Sequence, residues 1–519
     1  MGRSRGAAPQ KRQGWAGEVV IEDRGVQREQ WGGKLGFILA AIGSAVGLGN
    51  IWRYPYVAYE NGGGAFLLPY FIALFTAGIP ILILEWSLGN KYRGAGPRAY
   101  WNLSRRFEWV GWWQVAGSFL ISTYYMVILG WVLAYTYFSF GTQWGSDTEG
   151  FFTGNYLGVS DSFWSVGGLQ FKVLLPVVIM WAIVYFLLVR GVSRGIELAS
   201  RILIPTLAVM ILIVVIRGVT LPGAGEGLNV LLTPDFGALA TPGVWVAAYG
   251  QVFFSLSIAF SIMITYASYL PRNSDLSNSG FIMGLANSGF EFLAALGVFG
   301  VLGFLAVQQN TQVTEVATAG IGLAFIAFPQ IINELPGLNS LFGFLFFGAL
   351  LFAGITSAVS ILEACIAAVR EKFSLSRAAS INAVCGLAFL VSMLYVTNGG
   401  LYYLDTVDHF INSYGLALSG LVEVVLIAWV LRQVGNLQQF INEDSFIRAG
   451  SWWSISIMLL APVALIFVVG FSIYTDLTEA YEGYPISGLI LLGGGAAVGA
   501  IVVGFIFQAI KWRERREAS

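Results

Sequence analysis

Long apolar stretches separated by short polar loops dominate the pattern of hydrophobic positions along this chain. Twelve of them have roughly the 20-residue length at which a helix crosses a bilayer, so the pattern predicts an all-α polytopic membrane protein with twelve transmembrane helices. We number these stretches segments 1 to 12. They lie at 35–58, 65–89, 111–140, 171–189, 196–217, 242–269, 279–308, 339–369, 379–396, 402–431, 453–474 and 486–510.

Segments 1 and 6 are interrupted in their middles. Segment 1 contains the glycine-rich run from Gly43 to Asn50 and then the charged Arg53, whereas segment 6 places Ser255, Ser257 and Ser261 at mid-membrane. Each glycine in a helix interior costs about 1 kcal/mol. Unpaired backbone groups at membrane depth are tolerated only where protein or a cavity satisfies them. We therefore expect both helices to be unwound around a polar or ionic ligand.

The two interruptions occupy matching positions if segments 1 to 5 and 6 to 10 are two halves. Such spacing is typical of inverted repeats with a binding site at the midplane, although no residue-by-residue repeat is evident. The predicted divisions are a cytoplasmic N-terminal tail (1–34), a first five-helix inverted repeat (35–217), a second (218–433), and segments 11 and 12 with a cytoplasmic C-terminus (434–519).

Composition and charge agree with a membrane protein. With 56% hydrophobic and 11% charged residues, the chain cannot cover itself with a solvated surface. All but three of its 28 Lys and Arg residues lie in the two terminal regions and in every second loop, and therefore on one side of the membrane; the exceptions are Arg53, Lys172 and Arg217. Because cytoplasmic loops are enriched in Lys and Arg, this predicts that both termini are cytoplasmic. Short external loops without cysteine favour a prokaryotic inner membrane. No cleavable signal sequence is expected within 1–34.

Further polar groups occur in other segments. Tyr125, Asn287, Thr356 and Ser357 offer hydroxyl or amide oxygens. Such neutral, hard oxygens suit a hard cation such as sodium, whereas the sulfur and imidazole ligands of a transition-metal site are lacking. The alternative for each hydroxyl is a hydrogen bond back to its own helix. Glu291 is the one ionisable residue that the pattern places deep in a segment, which favours a functional role.

Several motifs together resemble the neurotransmitter:sodium symporter family, especially its prokaryotic amino-acid members such as the bacterial leucine transporter. The resemblance extends from about Arg28 through segment 10. It implies a leucine-transporter-type fold and sodium-coupled secondary active symport by alternating access. The motifs are Gly43 to Arg53, Glu60 to Phe66, Pro80 to Gly89, Arg190 to Glu197, and Tyr266 to Tyr269.

The resemblance implies two sodium sites and one substrate pocket. Sodium 1 would be held by the Ala45 carbonyl, the side chains of Asn50, Ser255 and Asn287, and the substrate carboxylate. Sodium 2 would be held by the carbonyls of Gly43, Val46 and Ala353 and the hydroxyls of Thr356 and Ser357. The pocket would be lined by Ala45, Leu48, Gly49, Ile121, Tyr125, Phe254, Ser255, Ser257, Phe260, Ser357 and Ile361.

The same residues indicate the class of substrate. Monoamine-carrying relatives place an aspartate where this chain has Gly47, so the substrate here is expected to bring its own carboxylate. Ile121, Phe260 and Ile361 would form apolar walls. We therefore expect a neutral, hydrophobic α-amino acid.

Glu291 has a further implication. Chloride-dependent members of the family carry a small hydroxyl residue at this position and bind the anion beside the equivalents of Tyr70, Gln251, Ser255 and Asn287. A carboxylate here would replace chloride, so transport is expected to be chloride-independent. Whether Glu291 carries a proton on the empty return step is left open.

Alternating access needs a gate on each side of the site. The resemblance assigns Arg53 and Asp408 to the outer gate, with Tyr125 and Phe260 as a lid beneath them. It assigns Arg28, Trp31, Ser268, Tyr269 and Glu371 to the inner gate, where Glu371 is longer than the usual family acid.

Parts of the sequence are also compatible with other classes of protein. Gly191 to Gly195 satisfies the G-x-S-x-G pattern of hydrolases, but no strand precedes it and the single histidine, His409, lies many segments away; we expect no enzyme. A channel or a non-transporting sensor on the same scaffold stays open. The expected partners are sodium, a small amino acid and the lipid bilayer, with no nucleic acid. We expect a monomer or a weak homodimer.

Overall fold

The computed structural model describes residues 29–316 and 320–513, and this part of the chain is predominantly helical. Its β-structure is limited to two isolated bridges, Gly63 with Pro234 and Leu169 with Thr397. Ten helices are long and apolar enough to cross a membrane among these residues. They correspond to segments 2 to 5 and 7 to 12 and run over Gly64–Tyr92, Arg105–Phe138, Phe171–Val189, Val192–Val219, Leu276–Gln309, Asn339–Phe373, Arg377–Tyr395, Gly400–Val430, Ser451–Gly483 and Ile486–Ala509.

Segments 1 and 6 are each built from two shorter pieces. Segment 1 is the pair Lys34–Ala45 and Leu48–Glu60, bent by 57° at the break, and would be an eleventh span. Segment 6 consists of Pro242–Ser255 and Ile262–Ser268. The predictions of an all-α polytopic membrane protein and of breaks in these two segments are thus confirmed. The full twelve-helix arrangement with inverted repeats stays a prediction.

Short helices in the connections were not expected from the sequence. They are Gly96–Leu103, Gly150–Leu157, Ala224–Leu232, Phe236–Ala240, Val313–Val316, Gly320–Glu334 and Val434–Asp444. Each is too short to cross a bilayer, and packing on the bundle stabilises it instead. In Ala224–Leu232 a Cβ at Gly227 would lie 1.8 Å from the carbonyl oxygen of Phe299, so only glycine permits this close approach to segment 7.

Burial separates a central bundle from peripheral helices. In segment 8, 83% of the most apolar stretch of 18 residues is buried, and in segment 3 the buried share of the corresponding stretch is 78%. In segment 12 it is only 28%, as expected for a helix whose apolar surface faces lipid. Segment 1 packs against segments 5, 7 and 8, and segment 6 packs against segments 2 and 8, so both breaks lie inside the bundle.

The predicted cytoplasmic ends of several segments gather on one face, which we call the inner face. A buried ion pair there joins Lys372 Nζ to Glu108 Oε1 at 2.5 Å. The indoles of Trp112 and Trp512 donate to the two oxygens of Glu108 at 2.8 and 3.0 Å. Segments 3 and 8 are thereby tied to the chain that follows segment 12.

Replacing Glu108 with Ala should destabilise the fold by about 3 to 5 kcal/mol, because it leaves the buried Lys372 ammonium without a counter-charge. The measurement is the melting temperature of the detergent-solubilised protein. Glu149→Ala is the matched control, since Glu149 is exposed and its removal should leave the melting temperature unchanged. Equal melting temperatures for the two variants would contradict this account of the inner face.

Candidate functional site

The break in segment 1 exposes two helix ends to each other. Lys34–Ala45 ends and Leu48–Glu60 begins across only Val46 and Gly47. The Gly47 amide donates to Asn50 Oδ1 at 3.0 Å, which caps the second helix. The last carbonyls of one helix and the first amides of the other have no partner within a helix, and these ends carry opposite partial charges. One place therefore offers acceptors to a cation and donors to an anion.

The break in segment 6 covers six residues, 256–261. Its backbone has positive φ at three non-glycine residues, Ser257 (54°), Ala259 (66°) and Ser261 (61°). Such angles are uncommon for residues with a Cβ and persist only where the surroundings impose them.

Neighbouring segments supply the bonds that hold this break. The Ala259 amide donates to Glu85 Oε1 of segment 2 at 2.6 Å, and Ser118 Oγ of segment 3 donates to the Phe260 carbonyl at 2.7 Å. The Gly96 amide donates to Ser261 Oγ at 3.1 Å. Backbone groups released by unwinding are thus satisfied by side chains from other segments.

The two breaks meet at the carbonyl of Ser44. It accepts hydrogen bonds from Ser257 Oγ at 3.1 Å and from Ser357 Oγ at 2.9 Å, so segments 1, 6 and 8 are joined at one atom. A Cβ at Gly47 would lie 3.1 Å from Ser357 Oγ and 3.5 Å from the Tyr125 hydroxyl. Glycine at position 47 leaves the space in which these polar groups converge.

The three side chains expected at sodium 1 are brought together. Asn50 Nδ2 donates to Asn287 Oδ1 at 2.8 Å, and Asn287 Nδ2 donates to Ser255 Oγ at 3.2 Å. All three side chains are buried, and Ala45 ends the helix that leads into the same break. Segments 1, 6 and 7 contribute one residue each, a set that no single stretch of sequence contains.

Four of the five residues expected at sodium 2 also come together. Ser357 Oγ lies 3.5 Å from the Gly43 carbonyl, and Thr356 Oγ1 lies 2.9 Å from the Ala353 carbonyl. A Cβ at Gly43 would approach Thr356 Cβ to 3.1 Å, so segments 1 and 8 are in close contact here. Val46, the fifth residue, follows the helix end directly.

The chemistry of these groups fits an alkali cation. Carbonyl, amide and hydroxyl oxygens are neutral hard ligands. Among the described residues, the structure has no group of three or more His, Cys, Asp or Glu side chains that could hold a metal ion.

Most of the residues expected around the substrate lie at or beside the two breaks. A Cβ at Gly49 would lie 3.0 Å from the Phe254 ring, and the rings of Phe254 and Phe260 are 6.4 Å apart. Ile121 and Ile361 are buried. The remaining members of the expected pocket, Ala45, Leu48, Ser255, Ser257 and Ser357, lie at or beside the two breaks.

The Tyr125 hydroxyl is the polar feature of this pocket. This hydroxyl is buried and has no hydrogen-bond partner among the described residues. It lies beside the Leu48 amide and the Ser357 hydroxyl. A buried hydroxyl without a partner costs about 1 to 3 kcal/mol, so a ligand that accepts its hydrogen would stabilise the site.

Glu291 is fully buried among neutral donors. Gln251 Nε2 donates to Glu291 Oε1 at 2.7 Å, and the Tyr70 hydroxyl donates to Oε2. Ser255 also lies within hydrogen-bonding reach of this carboxylate. Tyr70, Gln251 and Ser255 therefore surround Glu291 as expected, and Asn287 lies one turn away on the same helix.

The outer pair Arg53 and Asp408 is not joined in this structure. Arg53 is exposed and lies over the Phe254 ring at 5.1 Å. Asp408 instead accepts hydrogen bonds from Tyr124 at 2.5 Å and from Asn412 at 2.9 Å. These alternative partners explain why the expected ion pair is absent between these two described residues. The role of Tyr124 was not predicted from the sequence.

At the inner face, Trp31 packs against the end of segment 6. Its indole donates to the Tyr266 carbonyl at 2.9 Å and packs edge-on against Tyr266 and Tyr269. Ser268 bonds back to its own helix, at the Thr265 carbonyl. Glu371 accepts from the Ala95 amide at 3.1 Å. Arg28 lies outside the described residues.

The main ion pairs of the inner face were missed by the sequence analysis. Arg377 contacts Glu363 Oε2 at 2.8 Å and Glu29 Oε1 at 3.1 Å, and Tyr269 donates to Glu363 at 2.9 Å. Glu29 also pairs with Arg370 at 2.9 Å. The expectation that Glu291 is the one ionisable residue deep in a segment was wrong, because Glu85, Glu363 and Glu423 are fully buried in segments 2, 8 and 10. Their positions inside apolar stretches were the signal that could have found them.

Comparison with known proteins gives the family. The sequence profile of the sodium:neurotransmitter symporter family matches residues 28–147 and 141–514. The chain belongs to this family.

Individual relatives agree with this assignment. An uncharacterised sodium-dependent transporter of Methanocaldococcus jannaschii is 41% identical over 486 residues, which cover 94% of this chain and 98% of the relative. The sodium- and chloride-dependent taurine transporter of Rattus norvegicus is 31% identical over 95% of this chain and 86% of its own length. The sodium- and chloride-dependent GABA transporter 2 of the same species is 32% identical over 89% and 83%.

This symporter is thus a transmembrane member of a family of sodium-dependent transporters. The hydrolase-like motif finds no support in its geometry. Ser193 lies in a helical turn, Val192–Glu197, that follows a helix and not a strand. His409 contacts Asp476 at 2.9 Å, and Asp476 belongs to segment 11.

Proposed function

We propose that this symporter imports a neutral, hydrophobic α-amino acid together with sodium, by alternating access and without chloride. The observation that carries the proposal is the break in segment 1, where free carbonyls and free amides adjoin a set of buried neutral oxygens. Family membership supports the sodium dependence. The residues at the two breaks support the substrate class and the two sodium sites, and Glu291 supports the independence from chloride.

Coupling of ion and substrate would occur at sodium 1. Asn50, Ser255 and Asn287 supply three neutral oxygens beside the Ala45 carbonyl, and the substrate carboxylate would add the one charged ligand. A ligand shared in this way makes each species raise the affinity of the other by the same factor. Sodium 2 would join segments 1 and 8 through Gly43, Val46, Ala353, Thr356 and Ser357.

The polar end of the pocket is suited to an α-amino acid. The Leu48 amide opens a helix and, with the Tyr125 hydroxyl, would bind a carboxylate. Position 47 carries no acid to neutralise an amine, and the space beside Gly47 is filled by Ser357 and Tyr125. The ammonium group would be bound by carbonyls that the breaks release. Ile121, Phe260 and Ile361 would surround an apolar side chain.

The arrangement of the two faces fits an alternating-access cycle. At the inner face Trp31, Tyr269 and the ion pairs of Glu363 hold the segments together. At the other face Arg53 and Asp408 are apart. Their pairing would close the outer gate above Tyr125 and Phe260. We propose cytoplasmic termini in a prokaryotic inner membrane, and a monomer or weak homodimer.

Purified symporter in proteoliposomes should accumulate one or a few neutral α-amino acids under an inward sodium gradient, and not under an equal potassium gradient. The measurement is uptake of a labelled panel that includes taurine and GABA, the cargoes named for two relatives. Accumulation of those two alone would overturn the α-amino-acid assignment. Sodium-dependent binding without accumulation would instead identify a sensor.

Uptake should be unchanged when gluconate replaces chloride, because the Glu291 carboxylate supplies the negative charge beside Tyr70 and Gln251. The Glu291→Ser variant removes this charge and should make uptake depend on chloride. A chloride requirement in the unmodified protein would contradict the proposal. Glu226→Gln, which alters an exposed acid, serves as the control.

Thr356→Val should raise the sodium concentration for half-maximal uptake about five- to tenfold, since one lost oxygen contact is worth about 1 kcal/mol. Valine keeps the shape of threonine and removes only the hydroxyl. The matched control is Thr206→Val. Thr206, like Thr356, bonds back to its own helix, at the Ile202 carbonyl, but it is exposed and does not belong to the sodium 2 set. If both variants respond to sodium alike, the assignment of sodium 2 fails.

A further inference from the structure

A second pair of buried acids lies away from the sodium and substrate residues. Glu85 of segment 2 and Glu423 of segment 10 are both fully buried. Segment 10 packs beside Ala259, the residue that Glu85 binds, because a Cβ at Gly420, one turn before Glu423, would lie 3.3 Å from Ala259 Cβ. The charge of Glu423 acts on the Glu85 carboxyl group. Neither of them takes part in an ion pair with any residue in 29–316 or 320–513.

The polar groups around the pair are neutral. The Ala259 amide donates to Glu85 Oε1 at 2.6 Å, and Gln114 Nε2 donates to Glu423 Oε2 at 2.6 Å. Tyr100 is the other titratable side chain beside the pair in the described part of the chain. Its hydroxyl accepts from Gln114 Nε2 at 3.4 Å and lies within hydrogen-bonding reach of Glu423, to which it can donate. No lysine, arginine or histidine faces either carboxylate there.

Three oxygens at this place are buried without a hydrogen-bond partner among the described residues, namely Glu85 Oε2, Glu423 Oε1 and Gln114 Oε1. All three are acceptors, and the Tyr100 hydroxyl can donate to only one of them. The site therefore still lacks a donor for the other two oxygens. An ionised carboxylate buried without a cation is very costly, and two adjacent ones cannot both ionise freely. The missing group therefore carries positive charge or hydrogen-bonding protons.

We propose that Glu85 and Glu423 form a proton-binding site that holds at least one proton between segments 2 and 10. A proton turns one orphaned acceptor into a donor and leaves at most one negative charge. The Ala259 amide and the Gln114 amide group already point at the remaining oxygens. These donors favour a proton over a metal cation, because N–H groups repel a cation and provide it with no ligand.

Glu85 links the proposed proton site to the unwound part of segment 6. Glu85 bonds directly to Ala259, which has positive φ inside the break of segment 6. Glu291, in contrast, bonds to Tyr70 and Gln251. The pair is therefore a titratable site separate from Glu291, and its protonation state acts on the unwound backbone beside Phe260.

The test is infrared difference spectroscopy of the purified full-length protein near neutral pH, which distinguishes a protonated carboxyl group from a carboxylate. The difference between the unmodified protein and the Glu85→Gln/Glu423→Gln double variant should contain at least one protonated-carboxyl C=O band that shifts in D2O. A difference containing only carboxylate bands would overturn the proposal. The same difference for Glu226→Gln, an exposed acid, should contain only carboxylate bands.

Two further measurements keep the test decisive. Glutamine has the shape of a protonated glutamic acid, so each single variant, Glu85→Gln or Glu423→Gln, should fold and melt close to the unmodified protein. Unfolding of both single variants would show that a charged pair is required, which contradicts the proposal. Spectra recorded in sodium and in choline buffer should show the same protonated band, and its appearance only without sodium would assign the site to the metal ion instead.

Discussion

The structure depends on how unpaired backbone is satisfied at membrane depth. Two central segments give up their helical hydrogen bonds, and no water in the bilayer core replaces them. Asn50 caps one half of segment 1, the Ser44 carbonyl accepts from two serines, and Glu85 and Ser118 hold the break of segment 6. The groups that these contacts leave over are the ones at which we propose that sodium and an amino acid bind. The site thus follows from incomplete compensation of the two breaks.

The buried acids illustrate three ways of keeping a carboxyl group in an apolar interior. Glu363 is neutralised by Arg377, which fixes the inner ends of segments 8 and 9 together. Glu291 has only neutral donors, Tyr70 and Gln251. Glu85 and Glu423 also have neutral donors, the Ala259 amide and Gln114, and we propose that they hold a proton as well. The acid with a cationic partner belongs to the closed inner face, whereas the acids without one lie beside the parts of the chain that unwind.

The two faces differ in how firmly they are held. At the inner face, Glu29 links Arg370 and Arg377 and also accepts from the Val192 amide, so segments 5, 8 and 9 are tied to the chain before segment 1. At the outer face Arg53 rests on an aromatic ring. Because a cation–π contact of an exposed arginine is worth only about 1 kcal/mol, the outer contacts can exchange more easily than the inner ones.

The sequence by itself determined the class of protein, the positions of the segments and the two interruptions, since apolar length and glycine-rich breaks are local properties. Its motifs also led to Asn50, Ser255, Asn287, Thr356 and Ser357. Only the tertiary structure decided which groups meet: Glu363 with Arg377, Asp408 with Tyr124 and not Arg53, and Glu85 with the Ala259 amide. These contacts join residues far apart in the chain, and they depend on packing distances that a one-dimensional pattern of polarity does not contain.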